Sequence, residues 1–333
     1  CANSGFSLQE LPEDIDTMSA PAVSIIMNCL NCEKDLPDAL KSVREQTFQD
    51  FEIIFWDNGS KDRSAEIAKR FGPQLRYFSG TETVPLGEAR NLAIKEAKGN
   101  YIAFLDCDDL WKPEKLSLQV ELLKNNPDLG LVCTDTEIFN GKRILSRLFE
   151  NTPPEKGHVF EALMSSQWIS MSSAVIRKGA LDSVAEAPGK WFDESLNVCE
   201  EADLFYRIAH DWEVDYVDQP LTMWRVHEMN TTFRKFGQFA DETMYILEKH
   251  RKIYSDYDQN YPNLVELLKN RSSFQKAISL WRENRGSEAR KILKSITHAS
   301  PKVRLFQAAS FFPGSLFDLA SKLYFALPGF LRK

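Results

Sequence analysis

The chain has 333 residues, of which 43% are hydrophobic, 11% aromatic and 27% charged. This composition is typical of a globular protein and excludes a disordered or low-complexity chain. The formal net charge is −7, and we expect no nucleic-acid partner. No uncharged apolar run reaches about 18 residues, so we predict no transmembrane helix.

After a polar, acidic leader predicted over residues 1–20, short apolar runs alternate with segments of helical spacing. The predicted strands are Val23–Met27, Phe51–Trp56, Leu75–Phe78, Tyr101–Leu105 and Leu129–Thr134. Strands that alternate with helices predict right-handed βαβ crossovers and a mostly parallel sheet. In such sheets ligands bind at the carboxyl ends of the strands.

The second half of the chain gives weaker signals. Residues 140–160 predict a loop region, and the periodicity is helical from about residue 235. The remaining predicted elements are a strand at Trp168–Ile176, a helix at Leu204–His210, closing strands at Val214–Val217 and Leu221–Val226, and a helical hairpin of residues 262–281 and 286–296.

Three carboxylates follow the buried strand that begins at Tyr101. Asp106, Asp108 and Asp109 lie within four positions, where like charges raise each other's pKa. A divalent cation with oxygen ligands would neutralise them, and the alternative is a solvated acidic turn. Asp57 ends a different predicted strand at the same edge of the sheet, which favours a ligand site there.

Cysteines occur at six positions. Cys29 and Cys32 form a C-x-x-C pair, but no second pair or His pair follows at zinc spacing. Several others lie in or beside apolar runs, where a thiol packs as a small hydrophobic group. We therefore predict a reducing compartment and no disulfide framework.

Five motifs in order resemble the family 2 glycosyltransferases, bacterial-type inverting enzymes with the GT-A fold. They are Val23–Asn31, Asp57-Asn58-Gly59-Ser60, Gly87-Glu88-Ala89-Arg90-Asn91, Asp106-Cys107-Asp108-Asp109 and Glu200-Glu201-Ala202-Asp203. The resemblance covers roughly residues 21–232 and implies an α/β catalytic domain there, with a Rossmann-like nucleotide-binding half. We expect residues 233–333 to form an α-helical extension.

The resemblance implies a nucleotide-sugar donor, with UDP as the family's usual nucleotide, a Mn²⁺ or Mg²⁺ ion and a hydroxyl acceptor. Asp108 matches the family's metal-contacting carboxylate, and Asp106 matches the one that reaches the ribose and helps to hold the metal. Asp57 matches the carboxylate that recognises the nucleobase edge. Arg90 matches a basic residue near the nucleotide, and its alternative is a surface arginine.

One segment of the chain departs from the family pattern, and another extends the resemblance. Asn28–Asn31 replaces the usual Pro-Thr-Tyr-Asn, but Asn31 is retained and we expect it to contact the nucleotide. Trp224–His227 resembles the aromatic-Arg-x-His segment that ends many such domains. In some relatives this His completes the metal site, so His227 is either a metal ligand or an ordinary hydrogen-bonded histidine.

An inverting transfer needs a base to take the proton of the acceptor hydroxyl as it attacks. The family places this base second in a Glu-Asp pair, and here that position is Glu201. Glu reaches about one methylene further than Asp, so Glu200 and Asp203 are the alternative bases. Acids at a helix N-terminus also favour the helix dipole, a reading that suits Asp203 better than Glu201.

The end of the chain is basic, with 13 Lys and Arg against 3 Asp and Glu from residue 267 onward. Residues 316–325 are amphipathic and are followed by Arg332 and Lys333. Such a segment either contacts the membrane interface or packs on the protein. Because lipid-linked acceptors are frequent in the family, we expect a cytoplasmic enzyme that reaches the inner face of the membrane and makes a polysaccharide precursor.

Two functions other than glycosyl transfer are consistent with an α/β fold. A non-catalytic nucleotide-sugar-binding or scaffold protein with the same fold would explain Glu in place of Asp at position 201. A dinucleotide-dependent oxidoreductase is excluded, because no G-x-G-x-x-G follows the first strand.

Overall fold

The computed structural model describes residues 20–150, 153–227, 237–297 and 301–312. Within these residues nine strands form one sheet in the order β3-β2-β1-β4-β8-β6-β9-β5, with β7 paired to β6. The strands are β1 Val23–Cys29, β2 Phe51–Asp57, β3 Leu75–Ser79, β4 Tyr101–Phe104, β5 Leu110–Trp111, β6 Leu129–Phe139, β7 Ile144–Arg147, β8 Val175–Arg177 and β9 Glu213–Arg225.

The first four strands of this path, β3-β2-β1-β4, are parallel, as the alternation of apolar runs and helical segments predicted. The runs are apolar without interruption because both faces of the sheet are covered. Ile26, Ile54 and Ile102 pack into the core on one face, and Ile25 and Ile53 pack into the core on the other. Cys29 pairs in register with Asp57, so their strands end side by side.

The rest of the sheet is mixed. β8 is antiparallel to β4 and β6, whereas β9 is parallel to β6 and antiparallel to β5. The two predicted closing strands are one continuous strand, β9, and shifts in its register with β6 at Thr134–Thr136 absorb the irregularity. The predicted loop region contains β7.

The strand predicted over Trp168–Ile176 is wrong for most of its length. Met171–Ser173 form a 3₁₀ turn, and within the predicted range only Val175 and Ile176 belong to a strand, β8. The turn is favoured because serine hydroxyls bond nearby groups in place of a strand partner: Ser173 Oγ donates to the Ser170 carbonyl at 2.7 Å.

Twelve helices are described. They are α1 Leu36–Arg44, α2 Ser64–Lys69, α3 Leu86–Lys95, α4 Lys115–Asn125, α5 Phe160–Ser165, α6 Lys178–Ser183, α7 Glu200–Asp211, α8 Gln238–Ile253, α9 Tyr257–Asn260, α10 Pro262–Arg282, α11 Gly286–Ser295 and α12 Pro301–Ala309. The predicted hairpin is confirmed, because α10 and α11 share an apolar cluster that includes Ala277, Trp281, Ala289 and Leu293.

Helix α8 lies against the region that precedes and forms α7. Glu242 accepts backbone N–H groups of three consecutive residues at the start of α7, and Lys249 contacts Asp193 and Asp203. No helix among the described residues combines the length and apolar character needed to span a bilayer. The predicted leader, except for its last residue, the boundary at residue 233 and the amphipathic segment 316–325 lie outside the described residues.

Candidate active site

A cavity of about 750 Å³ opens where β1 and β4 end and where α7 begins. Its walls bring together residues from all five motifs, and these are Asn28, Asn58, Arg90, Asp106, Asp108, Glu200 and Glu201. The motifs are far apart in the sequence. The parallel strands bring the loops of Asn28, Asn58 and Asp106 together because their carboxyl ends share one edge of the sheet, and α3 and α7 add Arg90 and the two glutamates. His227 also lines this cavity.

The acidic loop after β4 is held in place by a buried carboxylate. Asp109 is 3% exposed and accepts a hydrogen bond from Ser172 Oγ at 2.6 Å and from the Arg225 N–H at 2.9 Å. Ser172 Oγ in turn accepts the Asp106 N–H at 3.1 Å. Asp109 therefore braces the loop against β9 and the serine turn, a role that the sequence left open.

Asp108 faces the cavity beside His227. The Nε2 atom of His227 lies 3.0 Å from Asp108 Oδ2, and Arg225 Nε donates to the Asp108 carbonyl at 2.8 Å. Burial and the charge of Asp106 raise the pKa of the Asp108 carboxyl, and His227 opposes this shift. Burial and the charges of Asp108 and Asp106 raise the pKa of Asp109 well above its usual range. The loop thus carries more negative charge than its protein surroundings neutralise.

Arg90 is buried between the two groups of acids, so the surface-arginine alternative is wrong. It is 2% exposed and donates from Nη1 to Glu200 Oε1 at 2.9 Å. Its Nη2 lies 3.4 Å from Asp106 Oδ1 and 3.9 Å from Glu201 Oε2. Burial alone would lower the pKa of Arg90, but the charges of Asp106 and Glu200 outweigh it and raise that pKa.

The two glutamates at the start of α7 have different surroundings. Glu200 is 4% exposed and is ion-paired to Arg90. The Glu201 side chain is 32% exposed and faces the cavity. Desolvation by the walls of the cavity raises the pKa of Glu201 to about 8, with Arg90 opposing the shift and Glu200 and Asp106 adding to it. A carboxyl with this pKa is suited to take a proton near neutral pH.

The other alternative base, Asp203, lies away from the cavity lining. It is fully buried and contacts Arg207 at 2.9 Å and Lys249 at 2.8 Å. Although burial would raise the pKa of Asp203, the His250 ring at 3.4 Å and the two cations hold that pKa well below its usual range. Asp203 is thus part of a buried ion network and not an exposed helix-terminal acid.

The predicted nucleotide contacts Asp57 and Asn31 differ in exposure, because Asp57 is buried and Asn31 is exposed. Asp57 is 4% exposed and accepts the Ser60 N–H at 2.7 Å and the Tyr77 hydroxyl at 2.8 Å. Asn31 has a positive φ of 56° and accepts the Lys61 N–H at 2.7 Å. Neither residue lines the cavity. Both shape the loops that do.

Sequence reasoning did not single out Asn28 and Ser172. The Nδ2 atom of Asn28 is buried at the cavity wall and has no hydrogen-bond partner among the described residues, as expected for a donor that meets a ligand. Asn28 stands where the family usually has Pro, and this departure from the family pattern could have identified it. Ser172 lies in a serine-rich stretch in which no position stands out.

The acidic loop offers a suitable donor set for a divalent cation. Carboxylate oxygens suit Mn²⁺ and Mg²⁺, and the neutral imidazole of His227 can add a ligand. Burial raises the pKa values of Asp108 and Asp109, and the neighbouring carboxylate charges that raise them further are charges that such an ion would offset. The ligand atoms of Asp106, Asp108 and His227 do not all lie within 4.8 Å of one another. We therefore expect a ligand to supply further oxygens.

Comparisons with known sequences identify the family of this chain. A family model described as glycosyl transferase family 2 matches residues 24–184. An uncharacterized glycosyltransferase of Rickettsia typhi is 30% identical over 225 residues, which are 67% of this chain and 69% of that protein.

Solved structures show the same architecture. S. aureus TarS residues 1–349 match with a TM-score of 0.62 and 18% identity, over 83% of this chain and 81% of that one. TarS 1–349 has also been solved with UDP and with UDP-GlcNAc. The mannosyltransferase PcManGT from Pyrobaculum calidifontis, in complex with GDP-Man and Mn²⁺, matches with a TM-score of 0.59 and 17% identity, over 91% and 81% of the two chains. This likeness confirms the predicted GT-A type α/β fold.

Proposed function

The chain belongs to glycosyltransferase family 2, and on that premise we propose that it is a metal-dependent inverting transferase. It moves a sugar from a nucleotide-diphosphate sugar to a hydroxyl acceptor. One observation carries the proposal: a single cavity holds the Asp106–Asp108 loop on one side and Glu201, with its pKa raised to about 8, on the other.

In the proposed reaction the acceptor oxygen attacks the anomeric carbon of the donor, and the bond from that carbon to the diphosphate oxygen breaks. Glu201 takes the proton of the acceptor hydroxyl as the new bond forms. A bound Mn²⁺ or Mg²⁺, held by Asp108 with Asp106 and His227, would supply Lewis-acid stabilisation of the departing diphosphate.

Arg90 connects the two sides of the cavity. Its guanidinium contacts Asp106 and Glu200, so the carboxylate loop and the start of α7 share one buried cation. The extra methylene of Glu201, relative to the family's Asp, lets its carboxylate extend from α7 into the cavity. Glu200 cannot serve equally well, because Arg90 occupies its carboxylate at 2.9 Å.

We expect a UDP-sugar donor. TarS, with the same fold, binds UDP and UDP-GlcNAc, whereas PcManGT binds GDP-Man. Asn31, Asp57 and Arg90 are the proposed nucleotide-side residues, and the buried Nδ2 of Asn28 adds a donor there. A thermal-shift panel of nucleotide sugars with and without Mn²⁺ tests this, because a ligand that binds only the folded state raises the melting temperature.

The decisive experiment measures donor turnover in wild type and in Asp108→Ala. Wild type needs Mn²⁺ or Mg²⁺ and stops with a chelator, and the variant loses about 100- to 1,000-fold in rate, the usual cost of removing one charge-stabilising group. Asp128→Ala, an exposed carboxylate elsewhere, serves as the control. Turnover that is insensitive to chelator and survives in Asp108→Ala would refute the proposal.

A lipid-linked acceptor and peripheral membrane contact through residues 313–333 remain parts of the proposal that rest on sequence alone. The basic, amphipathic character of that segment supports them. Co-sedimentation of the full chain with anionic and with neutral vesicles measures the contact. Equal binding to both, or to neither, would count against it.

A further inference from the structure

Three cysteines converge at the edge of the cavity, although they come from two distant parts of the chain. Cys29 ends β1, Cys32 lies in the loop that follows, and Cys107 lies in the acidic loop. Their sulfur atoms all lie within 4.8 Å of one another, and all three residues line the cavity. Cys29 and Cys107 are about 1–2% exposed, whereas Cys32 is half-buried.

The loop that carries Cys32 is held from outside the cluster. The Cys32 N–H donates to Ser64 Oγ at 3.0 Å, and the Asn31 N–H donates to Ser60 Oγ at 3.0 Å. The Glu33 N–H donates to Asp62 at 2.9 Å. Three consecutive backbone groups are therefore fixed, so the sulfurs are gathered before any ligand arrives and little ordering entropy is lost on binding.

We propose that Cys29, Cys32 and Cys107 bind one thiophilic divalent cation of the Zn²⁺ class, with the fourth coordination position open to the cavity. Zinc–sulfur bonds of about 2.3 Å put tetrahedral thiolate ligands about 3.8 Å apart, a spacing that the cluster reaches with small movements. Each coordinating thiol gives up its proton to solvent as the metal–sulfur bond forms.

The third sulfur is what favours a metal over a disulfide. A disulfide needs two thiols, and the third thiol would then take no part in the bond. Three convergent sulfurs are the ligand number of an open zinc site. The absence of a second Cys or His pair at zinc spacing argued against such a site in the sequence, but the third ligand comes from another strand end that the parallel sheet brings alongside.

This site is chemically distinct from the acidic one, although Cys107 stands between Asp106 and Asp108. Thiolates select soft or borderline ions, and carboxylates select Mg²⁺ and Mn²⁺. In the described residues, no fourth Cys, His or carboxylate comes within 4.8 Å of all three sulfurs. The inference does not depend on the proposed reaction, because it rests on the sulfur cluster alone.

The test is a Co²⁺ titration of the reduced full chain without oxygen, followed by displacement with Zn²⁺. We expect one equivalent of Co²⁺ with sulfur-to-cobalt charge-transfer absorption. Cys32→Ser, at the half-buried position, should weaken binding by at least about 100-fold, since even loss of an outer-shell partner costs roughly 10- to 100-fold. Cys133→Ala, a buried thiol in β6, is the matched control and should leave the signal unchanged.

Two further variants decide the ligand set. Cys107→Ser should also abolish the charge-transfer band, and Asp108→Asn should retain it. No band in the reduced wild type, or an unchanged band in both Cys→Ser variants, would overturn the proposal. Loss of the band in Asp108→Asn would show that the ion needs the Asp108 carboxylate as well as the thiolates, and this would overturn the proposal of a separate three-sulfur site.

Discussion

The two sides of the cavity are constructed differently. The proposed donor side consists mainly of the ends of β1 and β4 and their loops, which follow directly from buried strands. The acceptor side depends on the start of α7, which contacts made by α8 hold in place. A site can thus combine a wall determined by local sequence with a wall determined by distant contacts, and mutations should distinguish the two.

The contacts from α8 act on the helix that carries Glu201. Glu242 accepts the N–H groups of Asn197, Val198 and Cys199 at 2.9, 3.0 and 2.9 Å. Asn197 and Val198 precede the helix and Cys199 is its N-cap, so Glu242 fixes the segment that leads into α7, and a carboxylate there also favours the helix dipole. Fixing this end of α7 fixes the position from which Glu201 enters the cavity.

The largest effect should come from the acceptor wall itself. Glu201→Gln removes the proposed base at nearly constant size, so we expect turnover to fall about 100- to 10,000-fold. Donor binding, measured by calorimetry with Mn²⁺, should stay within a few-fold, because the donor wall is untouched. A rate within ten-fold of wild type would show that Glu201 is not the base. Binding of donor without turnover in wild type would instead favour the scaffold alternative.

The next effect concerns the buried ion network that joins α8 to α7. The Lys249 side chain is 11% exposed and contacts Asp193 at 2.9 Å and Asp203 at 2.8 Å. Lys249→Ala leaves these carboxylates short of a cation, so the free energy of unfolding should fall by about 3 kcal/mol, measured by urea denaturation. Lys252→Ala, exposed on the same helix, should change it by less than about 0.5 kcal/mol. Equal losses in both variants would contradict the role of the network.

A smaller effect is expected at Glu242. Glu242→Ala removes the acceptor of three N–H groups, which should cost about 1–2 kcal/mol, as for loss of a helix cap. It should also lower kcat more than it changes the KM for donor, because α7 carries the base and not the donor wall. Asp241→Asn, an exposed neighbour paired with Lys276, is the control. A change in donor KM alone would place the influence of Glu242 on the donor side.

The same contrast explains what could be predicted from the sequence. The parallel strands and the Asp106–Asp108 loop are predictable because a contiguous apolar run followed by acids encodes both. The burial of Arg90 and the contacts of Glu242 are not, because residues more than a hundred positions away, or on another helix, create them. The serine turn at Ser172 was predicted as a strand for the same reason. The Ser172 hydroxyl donates a hydrogen bond to Asp109 in the acidic loop, a contact with a distant segment.

The last prediction is a pH dependence that belongs to Glu201. Because its pKa is raised from the ordinary 4.5 to about 8, the folded protein holds this proton more tightly than the unfolded chain does. Its contribution to stability is therefore complete below about pH 4.5 and is lost as pH rises through about 8. Activity should have the opposite pH dependence. We expect kcat/KM to rise with pH and to level off above an apparent pKa near 8, because the base must be deprotonated.

Measuring unfolding free energy from pH 5 to 9 in wild type and Glu201→Gln separates this contribution from all others. The difference between the two should grow in favour of the variant as pH rises, since glutamine does not ionise. A constant difference would mean that Glu201 has an ordinary pKa in the folded protein. In that case the Glu201 carboxyl would be as well solvated as a surface carboxyl. The two walls of the cavity would then differ in geometry and not in electrostatics.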